Sequence, residues 1–293
     1  MIPFLPNAPQ PHCLLWRGLF GLVLLAGAAL PAAALELEGT VRQGGLVQGQ
    51  VEPGTTVRVD GRKIPVAPDG TFLVGFGRTH PGNVELQLIS PQGSARHRTF
   101  QVDQREYGTQ RIQGLPERKV HPDPADMERI HRDRERVKAA RSHISDLTAF
   151  RKGFIWPVKG PITGVYGTRR ILNGAPRQPH FGVDVAVPAG TPVRAPAGGV
   201  ARLAAPDLFF SGGTLILDHG HGLTSSFLHL QRFHVEPGDR VRQGQIIAEV
   251  GATGRVTGAH LDWRISLRGK RLDPALAAGT MPRESGHGES DSR

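Results

Sequence analysis

Cysteine is all but missing: Cys13 is the only one in 293 residues. It precedes the first apolar run, so a chain cut behind that run has no thiol and no disulfide. Its stability then rests on its core alone. Aromatic residues make up only 6%. No nucleic-acid motif occurs, and no basic run has interleaved aromatics, so the formal net charge of +10 does not by itself select nucleic acid. It favours polyanions in general, including anionic lipid and acidic polymers. No apolar run spans a bilayer comfortably; the run at 18–30 falls short of the roughly 20 residues that a helix needs.

The N-terminus also lacks acid: residues 1–16 contain no Asp or Glu, and Arg17 follows. The apolar run 18–30, then Pro31 and the small residues Ala32, Ala33 and Ala34, form the pattern of a cleaved secretory signal with cleavage before Leu35. The expected mature chain is exported, has no membrane segment, and is periplasmic in preference to wall-anchored. Loss of Arg17 lowers its formal charge only from +10 to about +9, which keeps the bias towards anionic partners.

Gly (38) and Pro (24) are plentiful and punctuate many short strands. The expected fold is mainly β. Seven candidate strands at 36–42, 47–51, 56–59, 63–66, 71–76, 84–89 and 96–102 predict a small β-sandwich over 35–103. It contains no cluster of catalytic residue types and reads as a spacer or binding module. A connector with one helix spans 104–150; Asp123 is placed to cap the helix and Pro124 suits its first turn. Met127, Ile130, Val137, Ile144 and Leu147 fall near one stripe. A second, mostly antiparallel β domain covers 151–279, and 280–293 reads as a disordered tail.

Three of the histidine contexts are informative. His180-Phe181-Gly182-Val183-Asp184 brings an imidazole and a carboxylate together across a short bend, and both residue types ligate zinc. His229 stands in the apolar strand Ser226-Phe227-Leu228-His229-Leu230, where a satisfied core histidine is the plainer reading. In His260-Leu261-Asp262-Trp263-Arg264, strand alternation puts His260, Asp262 and Arg264 on one face and Leu261 and Trp263 on the other.

Together these contexts resemble the lysostaphin/LytM-type zinc metalloendopeptidases that act on peptidoglycan. That family carries an H-x-x-x-D motif, a later single His, and an H-x-H motif on a strand. Gly164-Val165-Tyr166-Gly167, Pro188-Ala189-Gly190-Thr191-Pro192, Asp218-His219-Gly220 and Gly251-Ala252-Thr253-Gly254 match its flanking segments in order over about 120 residues. The resemblance implies an antiparallel β-sheet peptidase domain with an open groove and one zinc ion per chain. It makes His180 and Asp184 two of three metal ligands, and His229 and His260 catalytic histidines. The third ligand position, His in the family, is Asp262 here, and Arg264 stands where Glu is frequent. Aspartate is itself a zinc ligand, but a second carboxylate lowers the net charge of the metal site, and Arg264 can pair with Asp262. Arg169, Arg170 and Arg177, in the loop before His180, and Arg264 are candidate contacts for substrate carboxylates.

Two expectations follow from the resemblance. One is a zinc endopeptidase cutting stem or cross-link peptides of peptidoglycan. The other is a non-catalytic peptidoglycan-binding protein or regulator of another wall hydrolase, such as an amidase. A lipoyl-like carrier is disfavoured because its hairpin-tip lysine is missing. The connector 107–121 is long enough to reach the groove, with His121 as a candidate blocking ligand.

Overall fold

The computed structural model describes residues 35–282; the expected signal at 1–34 and tail residues 283–293 lie outside that range. Turn signals cut the first segment into seven strands: β1 Glu36–Gly39, β2 Leu46–Gln50, β3 Thr56–Val59, β4 Arg62–Lys63, β5 Thr71–Gly75, β6 Asn83–Ile89 and β7 Ala95–Gln101. They form two sheets, β1-β2-β5 and β4-β3-β6-β7. Both contribute to one core that includes Val47, Val57, Phe72, Val74 and Val84. Alternation on β5 sends Phe72 and Val74 into this core and leaves Leu73 on the opposite face. There Leu73 joins the core of the second half of the chain, with 1% of its surface exposed. Arg268 donates to the Leu73 carbonyl at 2.7 Å, and Arg105 pairs with Asp273 at 2.7 Å. The N-terminal sheets are therefore packed onto the C-terminal half.

The connector has more structure than its sequence suggests. Strand β8 (Thr109–Ile112) precedes helices α1 (Glu117–Val120) and α2 (Pro124–Ser142). Further on, β9 (Ile162–Gly164), β10 (Arg169–Leu172) and β11 (Ala175–Arg177) follow. β8 pairs in parallel with β10, and β10 with β11 as a hairpin. The arginines placed in a loop before His180 therefore stand on a small sheet, whose pairing partner is about 60 residues away along the chain. Helix α2 begins as expected, with Asp123 at the N-cap and Pro124 behind it, although the Asp123 side chain makes no capping hydrogen bond. Its apolar stripe is shorter than expected. Ile130 is buried, whereas Met127 and Ile144 are exposed. Ile144 and Leu147 lie beyond the helix end, so helical spacing does not govern them. α2 packs through Val137 and Ala140 on Leu203, Ala205, Leu208 and Ile216. Among the described residues no helix is long and apolar enough to cross a membrane.

The second half is dominated by one sheet. Its remaining strands are β12 Val183–Val185, β13 Pro192–Arg194, β14 Gly199–Leu208, β15 Gly212–Gly220, β16 Leu223–Phe233, β17 Arg240–Val241, β18 Ile246–Val250, β19 Leu261–Leu267 and β20 Lys270–Leu272. The main order is β17-β14-β15-β16-β19-β12-β9, with β13, β18 and β20 attached at its side. Every pairing in it is antiparallel. One face buries Leu215, Leu217, Phe227, Ile265 and Trp263. Trp263 meets Trp156 edge-on, with ring centroids 5.7 Å apart. The other face of β12, β16 and β19 carries the polar residues of interest.

Candidate metal centre

Strand register builds the site. Leu261, Trp263 and Ile265 are fully buried in the core, so alternation turns Asp262 and Arg264 to the opposite face. β12 pairs with β19 so that Asp184 lies directly across from Asp262. Two carboxylates at one cross-strand position repel each other, and this position is stable only with cations near it. His180, one bend before β12, supplies a third polar group. Ligand atoms of His180, Asp184 and Asp262 all lie within 4.8 Å of one another.

Glycine makes the room. A Cβ on Gly164 would come within 2.2 Å of Asp184 Oδ2, and one on Gly182 within 2.5 Å of Asp262 Oδ1. Neither segment could approach the carboxylates as closely with a side chain at these positions.

The hydrogen bonding is incomplete where a cation fits. His180 is buried, yet neither of its ring nitrogens has a hydrogen-bond partner, and neither does Asp184 Oδ1. His180 Nε2 and Asp184 Oδ1 are 3.1 Å apart but not aligned for a hydrogen bond. Orphaned buried polar atoms are costly, and their convergence fits a divalent ion held by two carboxylates and an imidazole. Two arginines share the carboxylates. Arg170 donates to Asp184 Oδ2. Arg264 grips Asp262 with both arms, Nε to Oδ1 at 2.9 Å and a terminal nitrogen to Oδ2. Each Asp262 oxygen retains a lone pair beyond the one used by Arg264. Burial and the neighbouring Asp262 raise the Asp184 carboxyl, but His180 and Arg170 outweigh them and hold it below the ordinary value. Burial likewise opposes ionisation of Asp262, and Arg264 and His180 overcome it. Both carboxylates are ionised near neutral pH.

Two histidines flank the cluster. His229 on β16 adopts φ +67°, a left-handed conformation rare for a side-chain-bearing residue. Its Nδ1 lies 2.8 Å from the Thr253 carbonyl. A carbonyl only accepts, so Nδ1 donates and Nε2 is left as the acceptor. Burial holds His229 down to about 4, so the ring is neutral near pH 7. His260 donates from Nδ1 to the Gly258 carbonyl at 2.9 Å, and its Nε2 lies 3.9 Å from Asp184 Oδ1. The two rings are 4.9 Å apart, centroid to centroid.

All five family positions thus converge, as their order along the sequence suggests. The candidate substrate arginines divide. Arg170 and Arg264 hold the carboxylates, and Arg177 donates to the Val120 carbonyl at 2.7 Å. Arg169 is exposed on β10. His121 does not block the site: its exposed ring is bonded to Glu117 one helical turn away. Sequence reasoning missed Arg134, Arg141, Arg255 and Arg271. A cavity of about 650 Å3 is lined by His180, His229, Asp262 and Arg264 together with Arg134, Arg255 and Arg271. These arginines come from elements remote in sequence and follow no shared spacing.

A groove over an antiparallel sheet, floored by His, Asp and Asp and flanked by two histidines, defines a metallopeptidase-type site. Comparison with known proteins agrees. The pattern of peptidase family M23 matches residues 178–274. A crystal structure of a Pseudomonas aeruginosa chain assigned to peptidase M23 is 32% identical, covers 82% of this chain and 96% of that one, and superposes with a TM-score of 0.64. The peptidoglycan DD-endopeptidase ShyC of Vibrio cholerae is 39% identical over 95 residues, which is 32% of this chain and 22% of that protein. The DD-carboxypeptidase/endopeptidase Mpg of Neisseria meningitidis is 37% identical over 103 residues, 35% of this chain and 24% of that protein. The match thus spans about a quarter of these curated relatives. The chain belongs to peptidase family M23, the lysostaphin/LytM-type metallopeptidases.

Proposed function

We propose that this protein is a zinc-dependent endopeptidase that hydrolyses peptide bonds in the stem or cross-link peptides of bacterial peptidoglycan. The observation that carries the reading is the convergence of His180, Asp184 and Asp262 within 4.8 Å, with the His180 nitrogens and Asp184 Oδ1 lacking other partners. These three residues would hold one Zn2+, which supplies Lewis acidity and a water made acidic enough to attack near neutral pH.

The remaining chemistry belongs to the chain. His229 is neutral, fixed by Thr253, and has an acceptor nitrogen for a proton from water. His260, held by Gly258 through Nδ1 with Nε2 facing Asp184, can donate from Nε2 to oxygen charge developing on the attacked carbonyl when its ring carries both protons. Arg170 keeps Asp184 ionised. The substrate class rests on family membership and on the names of the two curated relatives. The signal-like pattern of residues 1–34 supports export to the periplasm, where that substrate lies. The N-terminal residue of the protein recovered from an envelope fraction tests this: Leu35 supports export, and an intact Met1 in the cytoplasm overturns it.

One observation favours a second reading. Arg264 takes both oxygens of Asp262, which suits a metal-free groove that binds peptidoglycan or regulates another wall hydrolase. Zinc stoichiometry separates the two. The endopeptidase reading requires about one zinc per chain, lost in Asp262→Ala, and cleaved muropeptides detectable by mass spectrometry. A chain that binds no zinc even after reconstitution, and cuts nothing, leaves only the second reading.

A further inference from the structure

The cavity over the candidate metal centre does not end there. A second cavity, of about 600 Å3, lies between α2 and the sheet, and both are lined by Ile130, Arg134, Phe210 and Arg271. The guanidiniums at this junction lack counter-charge. Among the described residues, none of Arg134, Arg141 and Arg271 has a carboxylate oxygen within 4.0 Å. Arg141, at the end of α2, donates only to the neutral Ser226 hydroxyl, at 3.0 and 3.3 Å. Arg271 Nη1 is buried and has no hydrogen-bond partner. Asp262 is held by Arg264. Asp133, the carboxylate lining the second cavity, accepts the Phe209 N–H at 2.7 Å. Burial, with repulsion from neighbouring arginines, pushes Arg271 down to about 10 and Arg141 well below its ordinary value.

A buried cation with an unmade hydrogen bond, as at Arg271, is costly, and two further guanidiniums without a carboxylate partner beside it add repulsion. An anion entering the groove relieves that cost. Planar guanidinium forks match a carboxylate through two parallel hydrogen bonds. The junction is continuous with the cavity that holds His180, His229 and Asp262, so a carboxylate bound there belongs to the molecule occupying the groove. We infer that Arg134, Arg141 and Arg271 form a subsite for a free carboxylate of the peptide substrate, and that the protein selects acidic stem peptides over their amidated counterparts. This rests on the peptide-binding reading above. It differs from Arg170 and Arg177 near His180, whose guanidiniums are engaged by Asp184 and the Val120 carbonyl.

Direct binding separates this inference from the question of catalysis. The probes are a cross-linked stem-peptide dimer with free carboxylates and the same dimer with those carboxylates amidated. They are titrated calorimetrically into the full chain carrying His229→Ala, so that bound peptide is not turned over. The acidic dimer is expected to bind at least about tenfold more tightly, a difference of about 1.4 kcal/mol, which shrinks as salt rises. Arg271→Gln should abolish the preference and Arg271→Lys should keep part of it. Arg134→Gln, on the exposed side of α2, should weaken it without endangering the fold. Equal affinity for the two dimers overturns the subsite, as does a preference that survives both glutamine variants. Either result leaves the zinc and cleavage measurements to decide the endopeptidase reading independently.

Discussion

At the scale of single residues, Asp262 is the position that most determines what the chain can do. Its carboxylate lies opposite Asp184 and in the grip of Arg264. A metal held by two carboxylates and one imidazole has no net charge left at its centre, which weakens its pull on water. Asp262→His should therefore hold zinc at least as well as the natural chain, and its kcat should peak at lower pH; matching pH profiles in the two proteins would remove the electrostatic argument. Arg264→Gln frees Asp262 and should raise zinc affinity, read by competition with a chromogenic chelator. Unchanged affinity would mean that the ion pair does not oppose the metal. His229→Ala should retain zinc and lose about 10²- to 10⁴-fold in kcat, the usual worth of a positioned proton acceptor.

His219 is a residue of another kind. It is fully buried, donates from Nδ1 to the Gly198 carbonyl at 2.6 Å, and accepts at Nε2 from the Ser225 hydroxyl at 2.8 Å. Burial holds it down to about 4 from the ordinary 6.5. The unfolded chain takes up a proton below the ordinary value while the folded chain resists, so stability present above pH 6.5 declines as pH falls towards 4. The loss approaches about 3 kcal/mol. Denaturant unfolding at pH 7.5 and pH 4.5 should show it, and His219→Gln should remove that part of the pH dependence.

At the scale of elements, β19 serves the core with one face and the site with the other. Trp263 fills the space against Trp156 and is fully buried, so Trp263→Ala should cost about 3–5 kcal/mol. The substitution also loosens the register that holds Asp262 opposite Asp184, and zinc should bind more weakly as a result. Thermal unfolding and metal titration of the same variant check both effects. The pairing of β8 with β10 matters in another way. It is a long-range contact that fixes Arg170 beside Asp184 from outside the main sheet. The local sequence around Thr109 has flanking glycines, Gly108 and Gly114, but Ile112 is the one apolar residue of the strand, so no alternation marks it and it reads as a connector.

At the scale of the whole molecule, residues 35–282 act as one packed unit. Leu73 enters the main core, and Arg105 reaches Asp273, which also accepts the Ala275 N–H at the start of α3 (Pro274–Ala278). A chain beginning at residue 151 would expose the core surface that Leu73 covers and lose β8 from the groove wall. It should unfold at lower temperature than the 35–282 chain, and that chain should show a single transition in calorimetry. Two well-separated transitions would mean that the N-terminal sheets merely tether the peptidase half.

The sequence by itself determined the β texture of both halves, because strand alternation and Gly/Pro punctuation are local. It also singled out His180, Asp184, His229, His260 and Asp262 as candidates, because their motifs occur in a recognisable order. The tertiary structure alone decided what these residues face. That Asp184 lies across from Asp262, that Arg264 closes on Asp262 while Arg170 closes on Asp184, and that α2 brings Arg134 and Arg141 to Arg271 are all consequences of register and packing between distant segments. Charges separated by dozens of residues carry no common periodicity. Only the folded chain brings them within the few ångströms over which they act.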